Sequence, residues 1–331
     1  MKKLCLILGS LVLAILVMAG GYILYAMHMA TAPGPLTENK ILVIGRGTGI
    51  AGIAQRLENE GVISSSLAFK INAGLQKSQG SLKAGEYEFT SAISMQAAID
   101  MIRSGKVYDR KITFPEGLTS HQIVDILNKS DMLTGDPVEA PRDGSLLPET
   151  YHIVKGDTRQ SVLNQMSAAM AKTVDELWAG RAPDLPFTTV QEAVTLASIV
   201  EKETGLPSER AKVAGVFINR LKRGIPLQSD PTVIYAMNQG VNEEEGQGPI
   251  GRHLLSKDLE MESPYNTYIN AGLPPGPIAN PGRASIEAVL HPEVHDFIYF
   301  VADGTGGHAF ARNLAEHNAN VAKWRKIRRA Q

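Results

Sequence analysis

The chain has 331 residues, 44% of them hydrophobic, 20% charged and 6% aromatic, and its 33 basic and 34 acidic side chains leave a formal net charge of −1. That length allows about two domains, and the balanced charge argues against a dedicated nucleic-acid binder, which would carry a basic excess. A single cysteine, Cys5, excludes a disulfide framework and cannot by itself build a zinc finger.

Residues 4–27 carry no charge. A helix needs about 20 apolar residues to cross a bilayer, so this run is long enough. Lys2 and Lys3 precede it, and the first acidic residue is Glu38. The positive-inside tendency then puts the N-terminus in the cytoplasm and the chain from about residue 28 outside, as a single-pass protein of the inner membrane. Tyr22 and Tyr25 suit the far interface. A cleaved signal peptide is the competing reading, with Ala30-Thr31-Ala32 as the cleavage site, but the apolar part of a signal usually runs about 7–15 residues. Residues 28–38, with Pro33, Gly34 and Pro35, read as a linker.

Residues 40–44 form a β-type run, followed by a Gly-rich turn at 45–49 and helical spacing over 50–60 (Ile50, Ile53, Ala54, Leu57). The same layout recurs further on: a strand at 111–114, the turn Pro115-Glu116-Gly117, and a helix over 119–129. Between the copies, residues 82–89 alternate as a strand with Tyr87 and Phe89 on one face. Residues 94–104 read as a helix capped by Ser94 and stopped by Gly105. Residues 39–107 therefore form a small α+β module. Gly47, Gly49 and Gly52 match G-x-G-x-x-G, but no second parallel strand ending in an acidic residue follows. They read as a tight turn into a helix, not as a dinucleotide loop.

Helices are expected over 160–179, 189–203 and 208–223. Residues 225–282, rich in Gly, Pro and Asn, read mostly as loops. Residues 297–302 read as a buried strand and 313–328 as a final helix. On the 189–203 helix, Val190, Val194, Ala197 and Glu201 share one face. Glu201 continues an apolar stripe, and burial would make its carboxyl a better proton donor. The alternative is that Glu201 emerges into solvent or pairs with a Lys or Arg. Glu203 lies about 200° further round and is expected to face water. The loops at 227–233, 263–268, 272–278 and 303–308 carry amides, hydroxyls and rings that suit a sugar chain. His291 and His295 lack metal-ligand spacing, no serine elbow occurs, and neither metal nor cofactor is expected.

Ser198-Ile-Val-Glu-Lys-Glu-Thr204, Phe217-Ile-Asn-Arg-Leu221, Leu227-Gln-Ser-Asp-Pro-Thr-Val233, Tyr265-Asn-Thr-Tyr268 and Gly272-Leu-Pro-Pro-Gly-Pro-Ile278 follow one another. In these runs and their order the chain resembles the YceG-like family, which comprises endolytic murein transglycosylases. The resemblance covers nearly the whole chain. It implies an α+β protein with a transmembrane anchor (1–27), a linker (28–38), a LysM-like module (39–107) and a catalytic domain (108–331). It also implies cleavage of the β-1,4 bond between N-acetylmuramic acid and N-acetylglucosamine in nascent peptidoglycan, leaving 1,6-anhydro ends, with Glu201 as acid and then base. Gln228 and Asp230 are expected to orient the sugar or the catalytic Glu. Tyr265, Asn266 and Tyr268 are expected to stack on and hydrogen-bond the glycan. Glu149 is a further candidate, within a stretch (143–151) where the chain departs from the family pattern. The partners implied are peptidoglycan strands, the lipid bilayer and peptidoglycan synthases, with no nucleic acid. A non-catalytic glycan-binding scaffold and a muramidase-type hydrolase are the rival readings.

Overall fold

The computed structural model describes residues 2–45, 47–76, 82–154, 156–238 and 252–330. Arg46 of the Gly-rich turn, and residues 239–251 of the expected loop stretch, lie outside these. The protein is of mixed α+β type, mostly helical with short two-stranded sheets. It divides into two compact units, 1–110 and 111–331.

The first unit opens with α1 (Lys2–Thr31), whose 10–31 stretch has a mean hydropathy of 2.1 and is long and apolar enough to cross a membrane. The helix runs on through residues 28–31, where a linker was expected. Ala26 and Ala30 are buried, and α1 packs on α3 (Ser66–Leu75), an element with no counterpart in the sequence expectations. β1 (Lys40–Ile44) pairs antiparallel with β2 (Gly85–Phe89), with Leu42 opposite Tyr87. The period-2 pleat turns Leu42, Ile44, Tyr87 and Phe89 inward. α2 (Ile50–Asn59) covers them with Ile53, Ala54 and Leu57, and α4 (Met95–Ser104) with Ala98, Ile99 and Ile102. Ser94 caps α4 by accepting from the Ala97 amide, and Gly105 ends it at φ +74°, a conformation that glycine tolerates best.

The second unit begins with β3 (Arg110–Thr113), paired with β4 (Thr150–Ile153). α5 (Ser120–Lys129) follows β3 and starts on a capping box between Thr119 and Gln122. Each copy of the strand–turn–helix layout thus uses its strand in a two-stranded pair. The main core gathers α6 (Arg159–Ala179), α7 (Val190–Glu203), α8 (Arg210–Lys222) and α10 (Arg283–Leu290). Every residue of α7 from Ala193 to Val200 is buried, so this helix is central. α9 (Asp230–Asn238) breaks the loop stretch expected over 225–282. Asp230 and Pro231 stand in its first turn, where an acidic residue and proline favour a helix start. β5 (Tyr299–Ala302) pairs antiparallel with β6 (His308–Ala311), and α11 (Leu314–Ala330) packs on both. β5 is half-buried rather than buried, because its apolar run lies in a two-stranded pair at the edge of the core.

Candidate active site at the end of α7

α7 carries two carboxylates in its last turn, and the rotation between them sends them to different surroundings. The side chain of Glu201 is 5% exposed. Its Oε2 accepts from the Gly282 amide at 2.8 Å, and its Oε1 lies 3.5 Å from Arg210 Nη2. Arg210 Nη2 is also 3.7 Å from Glu116 Oε2. Burial pushes the Glu116 carboxyl above its ordinary value, Glu201 and Glu149 add to this, and Arg210 opposes it. A Cβ on Gly282 would overlap the Glu116 carboxylate, which would have to move aside. Glu201 is therefore buried as its stripe suggested, but it is also ion-paired.

Glu203 is only partly exposed. The loop before α9 folds over the end of α7, and Ser229 Oγ donates to Glu203 Oε1 at 2.5 Å. A helical wheel treats the far side of α7 as free surface and cannot register that cover. Glu203 is half-buried and lines a cleft of about 500 Å³. Enclosure pushes its pKa to about 7, and Asp230 adds to the shift. The Ser229 bond, His308 and Arg220 oppose it.

The cleft is lined by Glu203, Arg220, Gln228, Asp230, Tyr268 and Tyr299, among others. Tyr268 donates its hydroxyl to Asp230 Oδ1 at 2.5 Å. Burial, and that bond to an acceptor, push the phenol's pKa upward. Arg220 Nη1 donates to Leu227 O at 2.6 Å and Nη2 to Gln228 Oε1 at 2.9 Å. These bonds hold Gln228 at φ +52°, a strained setting for a residue with a Cβ. Gln228 N donates to Thr267 O and Ser229 N to Thr267 Oγ1, which fixes the loop against its neighbour. His317 stacks on Tyr299 with ring centroids 5.0 Å apart and lines the same cleft.

Of the residues singled out from sequence, Gln228, Asp230 and Tyr268 share this cleft, and Glu203 joins them. Glu201 is not among the cleft-lining residues, and the exposed Glu149 acts electrostatically on Glu116 beside it. Asn266 is fully buried. Its Nδ2 donates to Leu259 O and Met261 O, and its Oδ1 accepts from Tyr268 N. With those atoms committed it cannot hydrogen-bond a glycan and instead staples the 259–268 loop. Tyr265 packs its ring 4.9 Å from that of Tyr235, against the main core and away from the cleft. Tyr235 in turn donates to Asp143 Oδ2, whose other oxygen accepts from the Ser120 amide. Asp143, where the chain departs from the family pattern, is thus a brace between α5 and α9.

Arg220, Ser229 and Tyr299 escaped the sequence reading. Arg220 and Ser229 stand inside quoted runs, but their contacts join segments whose approach no periodicity reveals. His308 Nδ1 lies 2.7 Å from Glu209 Oε2, and His295 is held by Lys212 O and Asn219. Among the described residues no three His, Cys, Asp or Glu side chains converge on a point that could hold a metal ion.

A profile of the YceG-like family matches residues 42–323. The chain belongs to this family. An endolytic murein transglycosylase of Bacillus subtilis is 32% identical over 342 residues, which cover 92% of this chain and 90% of that protein. One from Streptococcus pneumoniae is 30% identical over 369 residues, covering 96% of this chain but 64% of the longer pneumococcal protein. The crystal structure of a yceG-like protein from Listeria monocytogenes superposes with a TM-score of 0.52 at 31% identity. It covers 85% of this chain and 98% of that one. The match from residue 42 to 323 takes in both carboxylates of α7 and every residue of the cleft.

Proposed function

We propose that this YceG-like protein is a membrane-anchored endolytic lytic transglycosylase that cuts the β-1,4 bond between N-acetylmuramic acid and N-acetylglucosamine. The observation that carries the reading is the Glu203 carboxyl, open to a polar cleft and with a pKa of about 7. A group with that pKa is protonated often enough near neutral pH to act as an acid, and is as readily a base once it has given up its proton. The names of the curated relatives, and the family to which the chain belongs, support the substrate.

Glu203 gives its proton to the glycosidic oxygen while the bond to the muramic acid's anomeric carbon breaks with oxocarbenium character. The resulting carboxylate then takes the proton of the same sugar's six-position hydroxyl. That oxygen closes on the anomeric carbon, which forms the 1,6-anhydro ring and consumes no water. The proton count balances on one carboxyl group. Asp230 and Tyr268 orient the sugar across the cleft, and Ser229 holds Glu203 in its reactive rotamer. Glu201 keeps Arg210 and the start of α10 in place. The sequence expectation made Glu201 the acid; its two occupied oxygens favour Glu203 instead.

α1 serves as the anchor, with Lys2 and Lys3 on the cytoplasmic side and both units outside the membrane. A hydrolase would use Asp230 as the second carboxylate and release reducing ends. Digestion of peptidoglycan by the full-length protein in detergent, read by mass spectrometry, tests the reading. Anhydro ends that vanish in Glu203→Gln and persist in Glu201→Gln are expected. Reducing ends, or anhydro ends that need Glu201 and not Glu203, would overturn it.

A further inference from the structure

α3 is apolar on both sides. Its inner face packs Ala68, Phe69 and Ala73 into the core of the first unit. Its outer face shows Leu67 at 50% and Leu75 at 56% exposure, with the half-buried Ile71 between them. That i, i+4, i+8 spacing makes one continuous stripe. α3 has no acidic residue, and Lys70 is its one charge. A helix apolar on both faces belongs inside a large core or in lipid, and among the described residues Leu67 and Leu75 stay exposed.

The neighbour of α3 decides between the two. α3 packs along α1, and Asn72 Nδ2 donates to the backbone oxygen of Ala26 at 2.8 Å. Ala26 follows directly on Tyr25, and Tyr22 and Tyr25 are exposed with ring centroids 6.2 Å apart. Paired aromatic rings at the end of an apolar helix mark the lipid–water boundary. Residues 4–25 rise about 33 Å as a helix, close to the roughly 30 Å of a hydrocarbon core. The Asn72 contact therefore falls at the membrane surface. The connection is also stiff. α1 has no break before Thr31, and then Gly34 N donates to Ala92 O and Ala92 N to Leu36 O. Gly34 fits against the Ile93 carbonyl with no room for a Cβ.

We propose that α3 lies in the outer interface of the bilayer, with Leu67, Ile71 and Leu75 in the acyl region and Lys70 at the headgroups, so that the first unit docks on lipid instead of swinging on a tether. The inference rests on the reading of α1 as a retained anchor. That reading fits the same contacts, because α1 runs without a break past Ala26, which packs in the unit's core, to Thr31.

The test uses full-length protein with Cys5→Ser and single cysteines at Leu16, Leu67, Leu75 or Lys106, labelled with an environment-sensitive dye in vesicles of phosphatidylethanolamine and phosphatidylglycerol. Lys106 lies just beyond the end of α4, about 15 Å along that helix from its Met95 end, which meets Asn72. Labels at 67 and 75 are expected to be blue-shifted and quenched by lipid-borne quenchers, like the label at 16. The label at 106 should be quenched by aqueous iodide. Labels at 67 and 75 that behave like 106 while 16 stays in lipid would overturn the docking and leave the anchor standing. Iodide quenching at 16 as well would overturn both. Labels at 67 and 75 shielded from iodide and from lipid-borne quenchers alike would mean that protein covers the stripe, which also overturns the docking.

Discussion

Glu201 and Glu203 stand one residue apart on the same helix turn, yet their surroundings differ in kind. Glu201 has a guanidinium on one oxygen and a backbone amide on the other. Glu203 has a hydroxyl, a second carboxylate nearby and an open cleft. On the proposed reading, the first set of neighbours uses up a carboxylate as a strut, and the second keeps one available for proton transfer. Burial alone does not distinguish a catalytic acid from a structural one, because both side chains are largely enclosed. What distinguishes them is whether a full positive charge is in contact and whether a substrate atom can reach the oxygen.

The sharpest way to break this contrast is Glu203→Gln. Loss of a general acid should lower turnover by about 10²- to 10⁴-fold, measured as release of anhydro ends, whereas Glu201→Gln should retain far more activity. If both variants lose equal activity while remaining folded, the division of roles fails. Asn266→Ala comes next. It removes three buried hydrogen bonds and should cost about 2–3 kcal/mol in thermal or denaturant unfolding. An unchanged stability would return Asn266 to the substrate side.

The third expectation concerns stability against pH. The folded pKa of Glu203, about 7, lies above its ordinary 4.5, so the folded state binds the proton more tightly than the unfolded one. The protein is therefore progressively penalised as pH rises from about 4.5 to about 7 and carries the full penalty above that. Glu203→Gln removes the charge and should stabilise the fold by about 2 kcal/mol at pH 8, with no gain below pH 4.5. A variant less stable than the parent at pH 8 would contradict the assignment. Glu201→Gln should destabilise by about 1–3 kcal/mol, because it leaves the buried Arg210 with the more distant Glu116. The smallest effect belongs to Ser229→Ala. Its hydroxyl opposes the rise in the Glu203 pKa, so its loss should move the alkaline limb of the pH–rate profile upward. A limb that does not move would separate Ser229 from the acid.

Much of the fold was legible because it is local. The strand at 40–44, the helix capped by Ser94 and the buried sector of α7 all follow from periodicity and capping. α3, α9 and α10 were missed where small residues, an Asp-Pro pair and a Pro-Gly pair blur the apolar pattern. The site was legible only in composition. Gln228, Asp230 and Tyr268 came from the polar loops and the family resemblance, and they line one cleft. The proposed shift of the acid from Glu201 to Glu203 rests on the cover that Ser229, 26 residues further along the chain, gives Glu203. Asn266 carries a related lesson: an amide in a loop can serve the loop itself.

The left-handed Gln228 has a consequence for how substrate is met. Thr267 holds its backbone N–H, and Arg220 its side chain and the preceding carbonyl, before any ligand arrives. The ordering entropy of the 227–230 segment is thus lost on folding and is not charged against glycan capture. A long polymer that must be gripped at internal bonds, released and gripped again meets a cleft of fixed shape. Replacing Gln228 with glycine would relieve the backbone at the expense of that readiness, so capture should weaken even though strain is lost.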